Sequence, residues 1–235
     1  MKYKLDECSC YKSYTIGSVP IYIFNSHNMA LPVWGTYAVQ YGALNLLSFD
    51  THTDTHFAFS TLLSENGMQV DCDYEAVLNN PIVAEYLSGV RYRIEDFSFE
   101  DVFKYSMEIP NTEQILNGVA FGYLKSYTIR HHLSAVNYER DDQLNGYDAI
   151  YIDDDDERKP IIRQPLALDI DLDYFRSRDE FGNDFKHYIS PFLKNSCVVT
   201  IAREQRYFDD GKTESDLSVD EAEKRLLDII KDILS

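Results

Sequence analysis

Positive charge is scarce in this chain: 22 Lys and Arg stand against 40 Asp and Glu, a formal net charge of −18 over 235 residues. Such a surface repels phosphate backbones, so nucleic acid is not expected as a partner, while a cationic substrate is favoured. Long apolar runs are also lacking. No stretch reaches the ~18–20 residues of a membrane span. Met1 to Cys10 has no apolar segment of the signal-peptide kind. The expectation is a cytoplasmic chain with no membrane partner. Cysteine is sparse: Cys8, Cys10, Cys72 and Cys197 are too scattered for a disulfide framework and are expected to be free thiols. Cys8-x-Cys10 could hold a metal, but no second pair of suitable spacing accompanies it. The single tryptophan, Trp34, is expected to pack on the helix after His27. There is no internal repeat and no long linker. A homo-oligomer is compatible with everything in the sequence.

Apolar residues make up 44% of the chain and aromatics 14%, enough for one large core, so residues 1–235 are expected to form a single domain. Val19 to Phe24, Leu44 to Phe49, Tyr147 to Ile152, Leu166 to Ile170 and Cys197 to Ala202 have the apolar, β-branched character of strands. Helices are predicted from about Asn28 or Pro32 to Gln40, over Asp73 to Leu87, and over Ser98 to Met107. Thr112 to Lys125 is predicted helical, with Asn111 as its cap. Ser218 to Leu234 reads as an amphipathic closing helix, with Ala222, Leu226, Leu227, Ile230 and Leu234 on one face. Apolar strands alternating with helices imply an α/β fold with a mostly parallel sheet covered on both sides. The acidic run Asp153 to Glu157 reads as a solvated loop, without the spacing or glycine of a calcium loop.

Chemistry concentrates at the strand ends. Asp50-Thr-His52-Thr-Asp54 directly follows Leu44 to Phe49. Extended chain sends alternate side chains to one side, so this segment gathers two carboxylates and an imidazole where the strand finishes. Asp169-Ile-Asp171 follows Leu166 to Leu168 in the same way. His27 lies just past the first predicted strand and Glu204 past the last. In parallel sheets, ligands bind beyond the carboxyl ends of the strands. Carboxylate oxygens with imidazole nitrogen suit manganese, iron or zinc. A two-metal hydrolase is therefore the leading expectation. Asp173 alternates with Asp169 and Asp171 and is read as a group that orients ligands or as a helix cap. Glu204 has a plainer alternative, a surface pair with Arg203 or Arg206. His131 and His132 are read as following a helix, where histidine interacts with the helix dipole.

Taken together, the histidine, the Asp-x-His-x-Asp and the later Asp-x-Asp resemble the arginase-like ureohydrolase superfamily, and 23 residues separate His27 from Asp50 as in that family. Asn25-Ser-His27-Asn-Met-Ala-Leu, Leu168-Asp-Ile-Asp-Leu-Asp-Tyr-Phe and Thr200-Ile-Ala-Arg-Glu204 look closer to the branch that includes enzymes converting arginine to ornithine within peptides. The resemblance implies a three-layer α/β/α sandwich, the fold shared by arginases and deacetylases, and two Mn²⁺ ions, with Zn²⁺ or Fe²⁺ as other candidates. Carried over, one ion takes His27, Asp50, Asp54 and Asp169. The other takes His52, Asp50, Asp169 and Asp171. A bridging hydroxide, oriented by Asp54, attacks the guanidinium carbon. Glu204 binds the guanidinium, and His56 is the nearest candidate to protonate the leaving amine, with His131 and His132 as alternatives. The family's glycine pair before the first histidine is replaced by Asn25-Ser26, and its proline after the Asp-x-Asp segment is missing. The loop Thr55-His-Phe-Ala-Phe-Ser differs from the polar loop with which arginases hold free arginine. The implied substrate is thus an arginine side chain in a peptide. Two alternatives are an amidohydrolase or deacetylase of the same fold and a metal-stabilised binding protein without turnover.

Overall fold

Seven strands form one sheet in the computed structural model, which describes residues 8–68, 74–132, 148–153 and 160–235. The strands are β1 (Lys12–Ile16), β2 (Val19–Phe24), β3 (Leu44–Asp50), β4 (Leu124–His131), β5 (Asp148–Asp153), β6 (Leu166–Asp171) and β7 (Ser196–Ala202). Their spatial order is β1-β2-β7-β6-β3-β4-β5. β1 pairs antiparallel with β2, and the other pairings are parallel. Helices α1 (Ala30–Tyr41), α2 (Ser60–Glu65), α3 (Tyr74–Leu78), α4 (Pro81–Tyr86), α5 (Phe99–Ser106) and α6 (Gln114–Ala120) pack on one face. Helices α7 (Asn183–Asn195), α8 (Gln205–Gly211) and α9 (Val219–Leu234) pack on the other. The expected three-layer α/β/α sandwich with a mostly parallel sheet is what the chain forms.

Strand alternation feeds two separate cores. Tyr22, Phe24, Leu46, Ala167 and Val198 join the α1–α6 side. Ile21, Ile23, Leu47, Phe49, Leu168, Ile170, Val199 and Ile201 join the α7–α9 side. A strand buried on both faces is apolar at most steps, which is why these segments stand out in the sequence. Strand order reverses between β3 and β6. From β3 the chain moves outward to β4 and β5, and from β6 it moves the opposite way to β7. That reversal opens a crevice at the carboxyl ends of β3 and β6. Asp50 ends one of these strands and Asp171 the other.

Local signals explain three of the helix starts. Ser218 caps α9 by accepting from the Glu221 amide, as a Ser-x-x-Glu sequence favours. Ser98 caps α5, and Asn80 caps α4 ahead of Pro81. The Asn80-Pro81 cap also divides the helix predicted over Asp73 to Leu87 into α3 and α4; Asp73 lies outside the described residues. The helix predicted over Thr112 to Lys125 is confined to α6, because Gly122 turns the chain with φ 79° and β4 begins at Leu124. His131 therefore ends a strand rather than following a helix, and His132 comes just after it. Strands β1 and β4 and helices α2, α7 and α8 lie outside the sequence expectations. Cys8, Cys10 and Cys197 are free thiols, as expected. Cys72, Tyr147 and residues 154–157 of the acidic run lie outside the described residues. Among the described residues, no helix is long and apolar enough to cross a membrane.

Candidate metal centre

The side chains at the crevice lie in two rows across three adjacent strands. Ser48, Asp169 and Thr200 are direct neighbours on β3, β6 and β7. One step further toward the carboxyl ends, Asp50 closes β3 and Asp171 closes β6. All five side chains belong to the face covered by α1 and α6, because each lies an even number of residues from Leu46, Ala167 or Val198.

The inner row is closed by hydrogen bonds. Asp169 is fully buried and accepts from Ser48 Oγ at 2.8 Å and Thr200 Oγ1 at 2.6 Å. Its Oδ2 also lies 2.7 Å from His27 Nε2. Trp34, on α1, is fully buried and points its indole N–H at Thr200 Oγ1, 3.4 Å away. The tryptophan is core, as expected. Both Asp169 oxygens are thus taken by neighbours, which differs from the bridging position that the resemblance implies.

The outer row converges on a point. His27, in a 3-10 turn (His27–Met29) between β2 and α1, is fully buried. Its Nδ1 lies 2.8 Å from Asp54 Oδ2, 3.3 Å from Asp171 Oδ2 and 3.4 Å from Asp50 Oδ2. A second group adjoins it. His52 Nδ1 lies 3.0 Å from Asp173 Oδ2 and 3.7 Å from Asp50 Oδ1. Asp50 is common to both groups, and each set offers three ligand atoms close enough to hold one ion: His27, Asp50 and Asp171, then Asp50, His52 and Asp173. Asp173 is not a cap. Asp171 accepts from the Asp173 amide and so caps the turn after β6, while the Asp173 carboxylate faces His52.

Burial makes this cluster costly without cations. Burial, followed by the charge of Asp54, pushes Asp50 well above the ordinary carboxylate range. Burial and the charge of Asp173 do the same to Asp171. Burial alone would lower His27, but Asp169, Asp171 and Asp54 outweigh it and raise the imidazole well above its usual range. Hydrogen bonds to Asp173 and Asp50 push His52 up to about 12. At the first point, His27 Nδ1 and Asp50 Oδ2 are buried with no well-aligned hydrogen bond. Orphaned donors of hard N/O type around one point are what a divalent cation requires, so the residues present fit a metal.

Glu204 sits beside this centre, after β7 and at the start of α8, with φ 32°. Asp54 has φ 49°. Positive φ is unfavourable for side chains of this kind, and both residues adjoin the cluster. Glu204 Oε1 accepts from the His27 amide at 2.9 Å, and Asn111 Nδ2 lies 2.7 and 2.8 Å from its two oxygens. Burial raises the Glu204 carboxyl. The alternative pairing with Arg203 does not form: Arg203 turns to Asp220 and to Glu223. Asn111, expected as a helix cap, is occupied here instead.

Gln114, at the start of α6, donates to Asp54 Oδ2. Asn111, Gln114 and Ser48 carry no motif that marks them in the sequence, Thr200 only opens the segment that leads to Glu204, and their roles follow from contacts between distant segments. His56 is exposed while Thr55 before it is buried, and the His56 amide donates to Thr112 O. His132 lies against Tyr174 and 3.3 Å from Glu180. His131 is opposite Asp50 in the β3–β4 register.

No family model matches the chain, and no curated protein does. Among solved structures the chain is similar to proclavaminate amidino hydrolase from Streptomyces clavuligerus, at 12% sequence identity and a TM-score of 0.46. The match covers 92% of this chain and 64% of that one, so this chain spans less than two thirds of the enzyme's length.

Proposed function

We propose that residues 1–235 form one metallohydrolase domain that holds two Mn²⁺ ions and cleaves a guanidino C–N bond, converting arginine side chains in peptides to ornithine and urea. The observation that carries this is the pair of adjoining ligand groups sharing Asp50, with the Glu204 carboxylate bonded to the amide of the ligand His27. The first ion would take His27, Asp50, Asp54 and Asp171. The second would take His52, Asp50 and Asp173. Asp169 then orients His27: by accepting from Nε2–H it leaves the Nδ1 lone pair for metal. When bound, a pair of such ions supplies hydroxide near neutral pH.

The remaining work falls to side chains. Glu204 accepts from the guanidinium and sets its carbon against the centre, a charge-assisted contact. Asp54, held by Gln114, orients the attacking oxygen. His56 delivers a proton to the leaving amine nitrogen. The loop after Asp54 supports a peptide substrate. Ala58 and Phe59 are buried, and the Phe59 ring packs against Tyr105 and Phe121, so these side chains are committed to the core and offer no polar group to an α-amino or α-carboxylate. The acidic surface favours a cationic side chain.

Incubating Mn²⁺-loaded protein with doubly capped arginine peptides, and following urea and ornithine by mass spectrometry, tests this reading. Urea from peptides in preference to free arginine is the expected result. A preference for free arginine overturns the peptide assignment. Deacetylation with guanidines untouched replaces the ureohydrolase reading altogether.

A further inference from the structure

Residues 109–114, the end of the link from α5 and the first residue of α6, form a short bridge that bonds separate parts of the site. Ile109 O accepts from Asn28 Nδ2 at 3.0 Å, next to His27. Asn111 reaches both oxygens of Glu204. Thr112 O accepts the His56 amide at 3.0 Å. Glu113, buried to 1% exposure, accepts from Ser60 Oγ at 2.9 Å and from Thr61 N and Oγ1 at 3.0 and 2.6 Å, which pins the end of the loop after Asp54. Gln114, fully buried, donates to Asp54.

We infer that this bridge aligns the guanidinium-binding carboxylate with the metal-binding one, with Asn111 and Gln114 as separate positioning residues for the two. The inference rests on the proposed roles of Glu204 and Asp54. The physical grounds are independent of them. Glu204 and Asp54 both occupy positive φ, where the backbone alone holds them poorly. Each receives a side-chain amide from the same six-residue segment, 109–114. A carboxylate restrained by a neutral amide keeps its charge for the ligand while losing its freedom to rotate, so the ordering cost is met before the ligand arrives. Amides suit this task because a cation in their place would compete for the same charge.

The two halves separate experimentally. Asn111→Leu acts on Glu204, which is outside the ligand sets. It should weaken binding of a doubly capped arginine peptide to the Mn²⁺-loaded protein by about tenfold or more. The Mn²⁺ affinity, read by chelator competition, should stay at the wild-type value. Asn111→Asp keeps the shape but sets a carboxylate against Glu204, and should lose at least as much. Gln114→Leu should instead weaken Mn²⁺ affinity by about tenfold to a hundredfold, as supporting groups of metal ligands do. Gln114→Met preserves length and gives the same readout if the leucine variant folds poorly. A merely structural bridge would move both affinities together in every variant, or only the melting temperature, and either result overturns the inference. If the wild type binds Mn²⁺ but no arginine peptide, the substrate reading and the Asn111 half fall together, and the Gln114 half is still decided by Mn²⁺. If the wild type takes up no metal, both halves fall with the metal reading.

Discussion

Loading the centre with Mn²⁺ should release protons, and its affinity should therefore climb steeply with pH. His27 and His52 are both raised well above the ordinary imidazole range, His52 to about 12. A cation needs the lone pair on each Nδ1, so one proton leaves each histidine on binding. Asp50 and Asp171 are raised too, and any proton they carry adds to the release. One histidine proton per ion corresponds to about one decade of affinity per pH unit for each ion, or roughly two decades each between about pH 6.5 and 8.5. The stability of the metal-free fold moves the opposite way. These groups have folded pKa values above their unfolded ones. The metal-free fold therefore loses stability as pH rises, from ~3.9 upward for the aspartates and from ~6.5 upward for the histidines, until each folded value is passed. Metal binding opposes that loss. At a hundredfold excess over Kd it adds about 2.7 kcal/mol, or about 5–11 °C in Tm for a chain of this length. Chelator competition across the pH range measures the slope, and calorimetry in buffers of different protonation enthalpy counts the protons. Melts with Mn²⁺ and with chelator should diverge more at pH 8 than at pH 6. An affinity that stays level with pH would refute the ligation by His27 and His52.

Other substitutions test the assignment of rows. Asp173→Ala should cost one of two bound ions by elemental analysis, whereas Asp169→Asn should keep both at saturating Mn²⁺ and lower the affinity by about tenfold to a hundredfold through His27; the reverse pattern restores Asp169 as a ligand. Phe59→Ala, at a side chain 2% exposed, should destabilise the fold by about 3–5 kcal/mol in urea denaturation. An unchanged midpoint would show that the loop after Asp54 is not anchored by that ring.

Much of this architecture is legible in the residues. Leu44 to Phe49 and Leu166 to Ile170 are apolar at most steps, as central parallel strands are, and the polar residues that follow them mark the edge where the candidate centre lies. His27, Asp50, His52 and Asp54 are identifiable for that reason. Asp169 shows where legibility stops. Asp169, Asp171 and Asp173 share one alternation, and a period of two reports a face but not a depth. Which neighbours each of them meets depends on the stagger of β6 against β3 and β7. That stagger sets Asp169 between the hydroxyls of Ser48 and Thr200, over a hundred residues away in one direction and about thirty in the other.

Asn111 and Gln114 teach the same lesson for helices. Asn before a helix-like stretch is an ordinary cap by local rules, and Gln is an ordinary helix residue. Here the competing partners are Glu204 and Asp54, whose buried charges hold a side-chain amide more strongly than a helix terminus does. Face, period and strand ends are local properties, written in neighbouring residues. Depth and partner depend on how segments far apart in the chain come into register, and only the folded packing of β3, β6, β7 and the bridge before α6 settles them.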